Sequence, residues 1–258
     1  MSPIVKHIPN TITSMNLLCG VLGILCSFEG QFPLAFCFML GAAVCDFCDG
    51  LSARLLKAYS PIGKELDSLA DLVSFGVLPA LMMCLFIKTD IVADSLGWSS
   101  RIAVYAPLLI AVFSALRLAK FNVDDRQTDN FIGMATPTCA MMVGSMVCYA
   151  SLYDASALWL RPSFVAVASP LISVVLSLLL VSEIPMFGMK IKKGARLFAG
   201  IAGKLRIAFL AGAAVAVVVV ICFHLHFSAA FFLIFSYYVL LNIFAYPWTR
   251  KKCKSCLT

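Results

Sequence analysis

Residues 32–87 read FPLAFCFMLGAAVCDFCDGLSARLLKAYSPIGKELDSLADLVSFGVLPALMMCLFI: two apolar stretches, each long enough to cross a bilayer, with four aspartates near the turn joining them. The outer parts of this stretch fit hydrocarbon, since a span needs about 20 mostly apolar residues. Asp46, Asp49, Asp67 and Asp71 do not fit it. An acidic side chain at the centre of a membrane helix costs roughly 2.5–3.5 kcal/mol, so one retained there marks function by default.

The rest of the 258-residue chain continues the pattern. Hydrophobic residues make up 62% and charged residues 13%, with a mean hydropathy of +0.97. Soluble domains are about half apolar and a quarter charged, so the bilayer is the solvent for most of this chain. A secreted disulfide scaffold, a nucleic-acid-binding module and a disordered regulator are excluded. The expected fold class is an all-α, polytopic membrane bundle of about eight helices, at 11–28, 32–57, 65–87, 102–121, 132–153, 163–182, 206–225 and 228–247. The last two are divided only by a few residues around His226. The first span begins too late, and lacks a small-residue cleavage site, for a removable signal peptide.

Placing the N-terminus in the cytoplasm leaves only Lys88, Arg101 and Arg161 of the twenty Lys and Arg residues outside. Basic residues collect on the cytoplasmic side, so both termini are expected there. The net charge of +7 is largely this orientation signal, and it suits anionic headgroups. Most of the eleven cysteines lie within apolar spans as small hydrophobes. Cys45 and Cys48 have redox or zinc spacing without a second pair, and Cys253 and Cys256 in the basic tail could take metal or an acyl group.

Helical geometry groups the acids. At 100° per residue, Asp46 and Asp49 lie about 60° apart, Asp67 and Asp71 about 40° apart, and Gly50 and Ala53 share the face of Asp46. Pro61 disfavours helix at Ser60, which puts the turn near residues 58–61. Antiparallel folding about that turn sets Asp46 level with Asp71 and Asp49 level with Asp67. Four facing carboxylates call for cations: Mg2+ or Mn2+, with Ca2+ as a further candidate, as hard ions with oxygen ligands. Zinc fits poorly because His7, His224 and His226 are distant in sequence. Two such ions are suited to clamping a pyrophosphate for in-line displacement at phosphorus. Arg54 offers a forked donor to phosphate oxygens, or a snorkelling anchor at the interface.

The motif Asp46-x2-Asp49-Gly50-x2-Ala53-Arg54-x8-Gly63-x3-Asp67-x3-Asp71 resembles the signature of the CDP-alcohol phosphotransferases, with every position present. The resemblance implies a CDP-linked lipid at Asp49, Gly50, Ala53, Arg54 and Gly63. It also implies two divalent ions on Asp46, Asp49, Asp67 and Asp71, and Asp71 as general base. Upstream, Pro9-Asn10-x-Ile12-Thr13-x2-Asn16 is similar to the segment bordering the nucleotide in that family, which adds Asn10 and Thr13 to the nucleotide site. Either residue could instead cap a helix start.

Residues 114–123 (SALRLAKFNV) and 131–137 (FIGMATP) resemble the phosphatidylserine-synthase branch, as does Ile184-Pro185-Met186-Phe187-Gly188-Met189-Lys190. Lys120 stands where that branch has a second Arg, and Ala135 where it has a Pro. The implied substrates are CDP-diacylglycerol and L-serine. Arg117, Lys120 and Asn122 are the acceptor-binding candidates, with Asp124, Asp125 or Asp129 toward the ammonium group. The resemblance further implies a homodimer and an active site facing the cytoplasm, in a bacterial inner membrane. It covers most of residues 1–195. Residues 196–258, two spans and a basic tail, carry no motif and are expected at the periphery.

The same signature would serve glycerol 3-phosphate, inositol or inositol phosphate as acceptor. An ion-coupled transporter is the rival of a different class. It predicts acids spread along a pathway, whereas these are gathered at one end of one hairpin.

Overall fold

In a computed structural model, residues 3–90, 103–123, 131–152, 162–187 and 200–254 are described. Each expected span corresponds to helix. The elements are α1 (Pro3–Phe28), α2 (Phe32–Leu55), α3 (Pro61–Asp71), a π-helical segment (Leu72–Val77), α4 (Leu78–Asp90), α5 (Leu108–Val123), α6 (Thr136–Leu152), α7 (Pro162–Val181), α8 (Gly200–Cys222) and α9 (Phe227–Lys254). Two short strands, β1 (Phe131–Ile132) and β2 (Pro185–Met186), pair antiparallel. Among the described residues, five stretches are long and apolar enough to cross a membrane: His7–Phe28, Phe32–Leu55, Pro61–Lys88, Gly203–Cys222 and Phe227–Tyr246. This is a helical membrane protein. The helices α5 and α6 are shorter, at 16 and 17 residues.

Local chemistry sets the boundaries. Helix α1 begins at Pro3, eight residues before the expected start, because Lys6 and His7 are polar yet helical. Ser60, extended at φ −139°, caps α3 by accepting the Gly63 N–H at 2.9 Å, and Pro61 occupies the first turn. The preceding turn is closed by Lys57 in the left-handed region. Pro107 lies just ahead of α5, so that helix starts at Leu108 rather than at 102. His224, at φ 49°, breaks the chain between α8 and α9 and keeps those two spans distinct.

The π-helical segment follows Asp71 directly. Leu78 N–H reaches back to the Val73 carbonyl. Pro79 comes next; it offers no N–H and crowds the carbonyl four residues earlier, that of Phe75, which the wider turn accommodates.

Helix α6 is the most enclosed, with α2, α4 and α9 packed against it. The core is built from Phe36, Met39, Phe75, Leu78, Met82, Met83, Ile110 and Val143. Small residues set the close approaches, as is usual where helices pack in lipid. A Cβ on Gly20 of α1 would overlap Ser74 Oγ in the π-helical segment. Outward-facing Met15, Leu18 and Leu25 of α1, and Val215, Val218 and Ile221 of α8, remain exposed, as a lipid-facing surface requires. Helix α9 is not peripheral: Val239 belongs to the core, with Phe231, Phe235 and Tyr238 against it.

Candidate metal and phosphate site

Helices α2 and α3, joined through the Lys57–Ser60 turn, both pack against α1 and bring acids from each together. Carboxylate oxygens of Asp46, Asp49 and Asp67 all lie within 4.8 Å of one another. Asp71 is not within that mutual distance, although it stays in electrostatic contact with Asp46, Asp67 and Asp49. Spacing set Asp46 level with Asp71 and Asp49 level with Asp67, all four facing in a single cage; the structure instead gathers Asp46, Asp49 and Asp67 and leaves Asp71 outside that group.

Helix α1 holds both ends of this array. Thr13 Oγ1 lies 2.5 Å from Asp49 Oδ2 and 3.0 Å from the Pro9 carbonyl, so its hydroxyl proton serves the carboxylate of a residue only 5% exposed. One turn along, Asn16 Nδ2 donates to Asp71 Oδ1 at 3.2 Å. Because α1 starts at Pro3, neither Asn10 nor Thr13 caps a helix, and the capping role is set aside. Asn10 instead meets the start of α3: a Cβ on Gly63 would sit 2.9 Å from Asn10 Oδ1 and 3.0 Å from Ser60 Oγ. Gly63 is therefore the residue that lets α1 and α3 close beside the acids.

Gly50 and Ala53 lie part-exposed on α2, next to the cluster in sequence. Arg54 is exposed and folds back along its own helix, with Nε donating to the Gly50 carbonyl at 3.0 Å. Its guanidinium thus lies over Gly50.

The acids fit a hard divalent cation. All three clustered donors are carboxylates, and Asp67 Oδ1 is a buried oxygen with no hydrogen-bond partner among the described residues. Such an oxygen is costly to bury unless something positive satisfies it. The described cysteines, Cys45 and Cys48 among them, are free thiols.

The three acceptor candidates separate. Arg117 is buried at 8% exposure, donates from Nη1 to Thr136 Oγ1 at 3.3 Å, and is in electrostatic contact with Asp71. Its Nε is buried without a partner among the described residues. Lys120 is exposed. Asn122 is committed to the scaffold: Nδ2 donates to Ser68 Oγ at 2.9 Å, and its carbonyl accepts from Lys64 Nζ at 3.3 Å. It ties the end of α5 to α3 next to Asp67. Asp124, Asp125 and Asp129 lie outside the described residues.

Sequence reasoning left Asn16 and Thr136 out of the site. A buried amide in an apolar span, 0% exposed, is itself a signal, since it must find a polar partner. Nothing local in the sequence pairs Thr136 with Arg117.

The sequence profile described as CDP-alcohol phosphatidyltransferase matches residues 6–179. A Bacillus subtilis (strain 168) protein named CDP-diacylglycerol--serine O-phosphatidyltransferase is 35% identical over 136 residues, 53% of this chain and 72% of its own. A protein of the same name from Mycobacterium leprae (strain TN) is 33% identical over 186 residues, covering 69% and 57%. The archaetidylserine synthase of Methanothermobacter thermautotrophicus is 31% identical over 140 residues, covering 54% and 56%. Against the last two, the chain spans little more than half the relative's length.

Proposed function

Because this chain belongs to the CDP-alcohol phosphatidyltransferase family, we propose that it transfers a phosphatidyl group from CDP-diacylglycerol to the hydroxyl of L-serine, releasing CMP. The observation that carries this is the convergence of Asp46, Asp49 and Asp67 within 4.8 Å, at the signature that the family shares. The serine-directed names of the relatives support the acceptor.

Asp46, Asp49 and Asp67 would hold the divalent ions, Mg2+ or Mn2+, with Asp71 at the margin. Bound there, such ions offset the charge of the pyrophosphate and of departing CMP. Asn10, Thr13 and Gly63 border the nucleotide side, and Arg54 meets phosphate oxygens above Gly50. Asn16 holds Asp71 Oδ1, which orients Oδ2 to take the serine hydroxyl proton. The serine oxygen then bonds to the lipid-side phosphorus as the bond from phosphorus to the CMP oxygen breaks, and CMP leaves with that electron pair. Arg117 pairs with the serine carboxylate; its Nε has no partner among the described residues. The site faces the cytoplasm, in line with the distribution of basic residues, so that serine and the nucleotide meet the lipid at the membrane surface.

The test is CMP release by the purified protein in detergent with CDP-diacylglycerol and Mn2+ or Mg2+. L-Serine, glycerol 3-phosphate, inositol and inositol phosphate are compared as acceptors. Metal-dependent release with serine alone is the expected result. Release with another acceptor only would discard the reading of Arg117, and none from folded protein would discard the transferase assignment.

A further inference from the structure

Helix α9 lies beyond the family-matched residues 6–179, yet it reaches the acceptor side of the site. Tyr238 and Asn242 are one turn apart on α9, and together they take both backbone polar groups of Phe187. Asn242 Oδ1 accepts the Phe187 N–H at 2.9 Å, and the Tyr238 hydroxyl donates to the Phe187 carbonyl at 2.9 Å. Asn242 Nδ2 donates to the Tyr238 carbonyl at 2.8 Å, which fixes the amide's orientation. Asn242 is 2% exposed. The rings of Phe187, Phe209 and Tyr238 pack edge to face, with centroids 5.1–6.1 Å apart, so α8 braces the same point.

Phe187 follows β2, and β2 pairs with β1. The loop after β1 is sewn to the end of α7: Gly133 N–H donates to the Ile184 carbonyl at 2.9 Å, and Met134 N–H to the Leu179 carbonyl at 3.0 Å. Two residues on, Thr136 accepts from Arg117. One route therefore runs from a turn of α9 to the guanidinium, through Phe187, the β1–β2 pair and Thr136.

We infer that Tyr238 and Asn242 are positioning residues for the acceptor: they clamp the β1–β2 pair that orients Arg117, so the C-terminal helix completes the acceptor side of the site. The inference rests on the proposed role of Arg117.

Tyr238→Phe keeps the ring cluster and removes only the hydroxyl; Asn242→Ala removes the acceptor for Phe187. Both are tested in the full chain in detergent. Tyr238→Phe is expected to raise the serine KM about five- to tenfold, the equivalent of one hydrogen bond, with the KM for CDP-diacylglycerol unchanged and kcat within about twofold. Asn242→Ala is expected to act in the same direction and to speed amide hydrogen exchange at Phe187. A parallel rise in both KM values, or a smaller active fraction with both KM values unchanged, would mean a structural role alone and would overturn the inference. If Asn242→Ala does not fold, Tyr238→Phe decides. Should the wild-type protein use an acceptor other than serine, the acceptor assignment falls and the same KM comparison with that acceptor judges the clamp. Should it use none, hydrogen exchange across residues 131–136 in Tyr238→Phe decides: faster exchange supports the clamp and unchanged exchange overturns it.

Discussion

Replacing Thr13 by Val removes a hydroxyl from beside the acidic cluster and leaves a side chain of almost the same shape. Thr13 Oγ1 is 2.5 Å from Asp49 Oδ2, and Asp49 is buried. A hydrogen bond to a charged group contributes about 1.5–3 kcal/mol. If that bond orients Asp49 as a ligand, its loss should weaken divalent-metal binding by about 10- to 150-fold, at about 1.4 kcal/mol per decade. That range overlaps the 10–100-fold typical of groups that orient metal ligands. The second contact of Thr13, to the Pro9 carbonyl at 3.0 Å, lies within α1 and its loss is borne by one helical turn. Mn2+ titration followed by electron paramagnetic resonance reads the affinity without turnover, and CMP release against metal concentration reads it in the working enzyme. Activity should recover at saturating Mn2+. A metal affinity within twofold of wild type, in a variant with an unchanged melting temperature, would refute the claim that α1 organises this site.

Asp67→Asn should abolish metal-dependent CMP release while the protein still inserts and folds, because it removes charge from the oxygen left unpartnered in the cluster; near-normal turnover would remove the cluster from the reaction. Chelation with EDTA should stop wild-type turnover, with recovery on adding Mn2+ or Mg2+. Arg117→Ala should raise the serine KM by roughly 10- to 150-fold, as expected for a charge-assisted pair, and an unchanged serine KM in a steady-state assay would place the carboxylate elsewhere. Gly133→Ala should destabilise the fold by roughly 1–3 kcal/mol, read as a lower thermal midpoint in detergent. Gly133 has φ +79°, and a Cβ there would lie 2.7 Å from the Leu180 carbonyl oxygen and 2.8 Å from that of Ser182.

Much of this was legible in the sequence because the bilayer simplifies the reading. Each expected apolar run corresponds to helix among the described residues, and Ser60-Pro61 marked the turn that closes the acidic hairpin. The spacing of Asp46, Asp49 and Asp67 about that turn pointed to their meeting, although α2 and α3 are held together by α1 rather than by packing on each other. What escaped was contact across the bundle. Thr13 and Asn10 look like caps until α1 is seen to begin seven or more residues earlier. The bond from the Asn122 amide to Ser68 Oγ joins residues 54 positions apart. The π-helical segment has a local signal, Gly76 followed by Pro79, but hydropathy does not register a change of helical pitch. The reach of α9 to Phe187 joins residues more than fifty positions apart, and no local pattern announces it.

The wide turn between Asp71 and Leu78 acts as a phase shifter. Below it the third span must present its acids to α1 and α2; above it the same span must present Leu78, Met82 and Met83 to the core. Without the extra winding, one of those two faces would be rotated away from its partner, by about 100° for each residue of offset. The span should accordingly reject any single-residue insertion or deletion within residues 72–77. Such a change would leave composition and hydropathy nearly intact while turning Asp71 away from Asn16 of α1 and Asp67 away from Asp46 and Asp49 of α2.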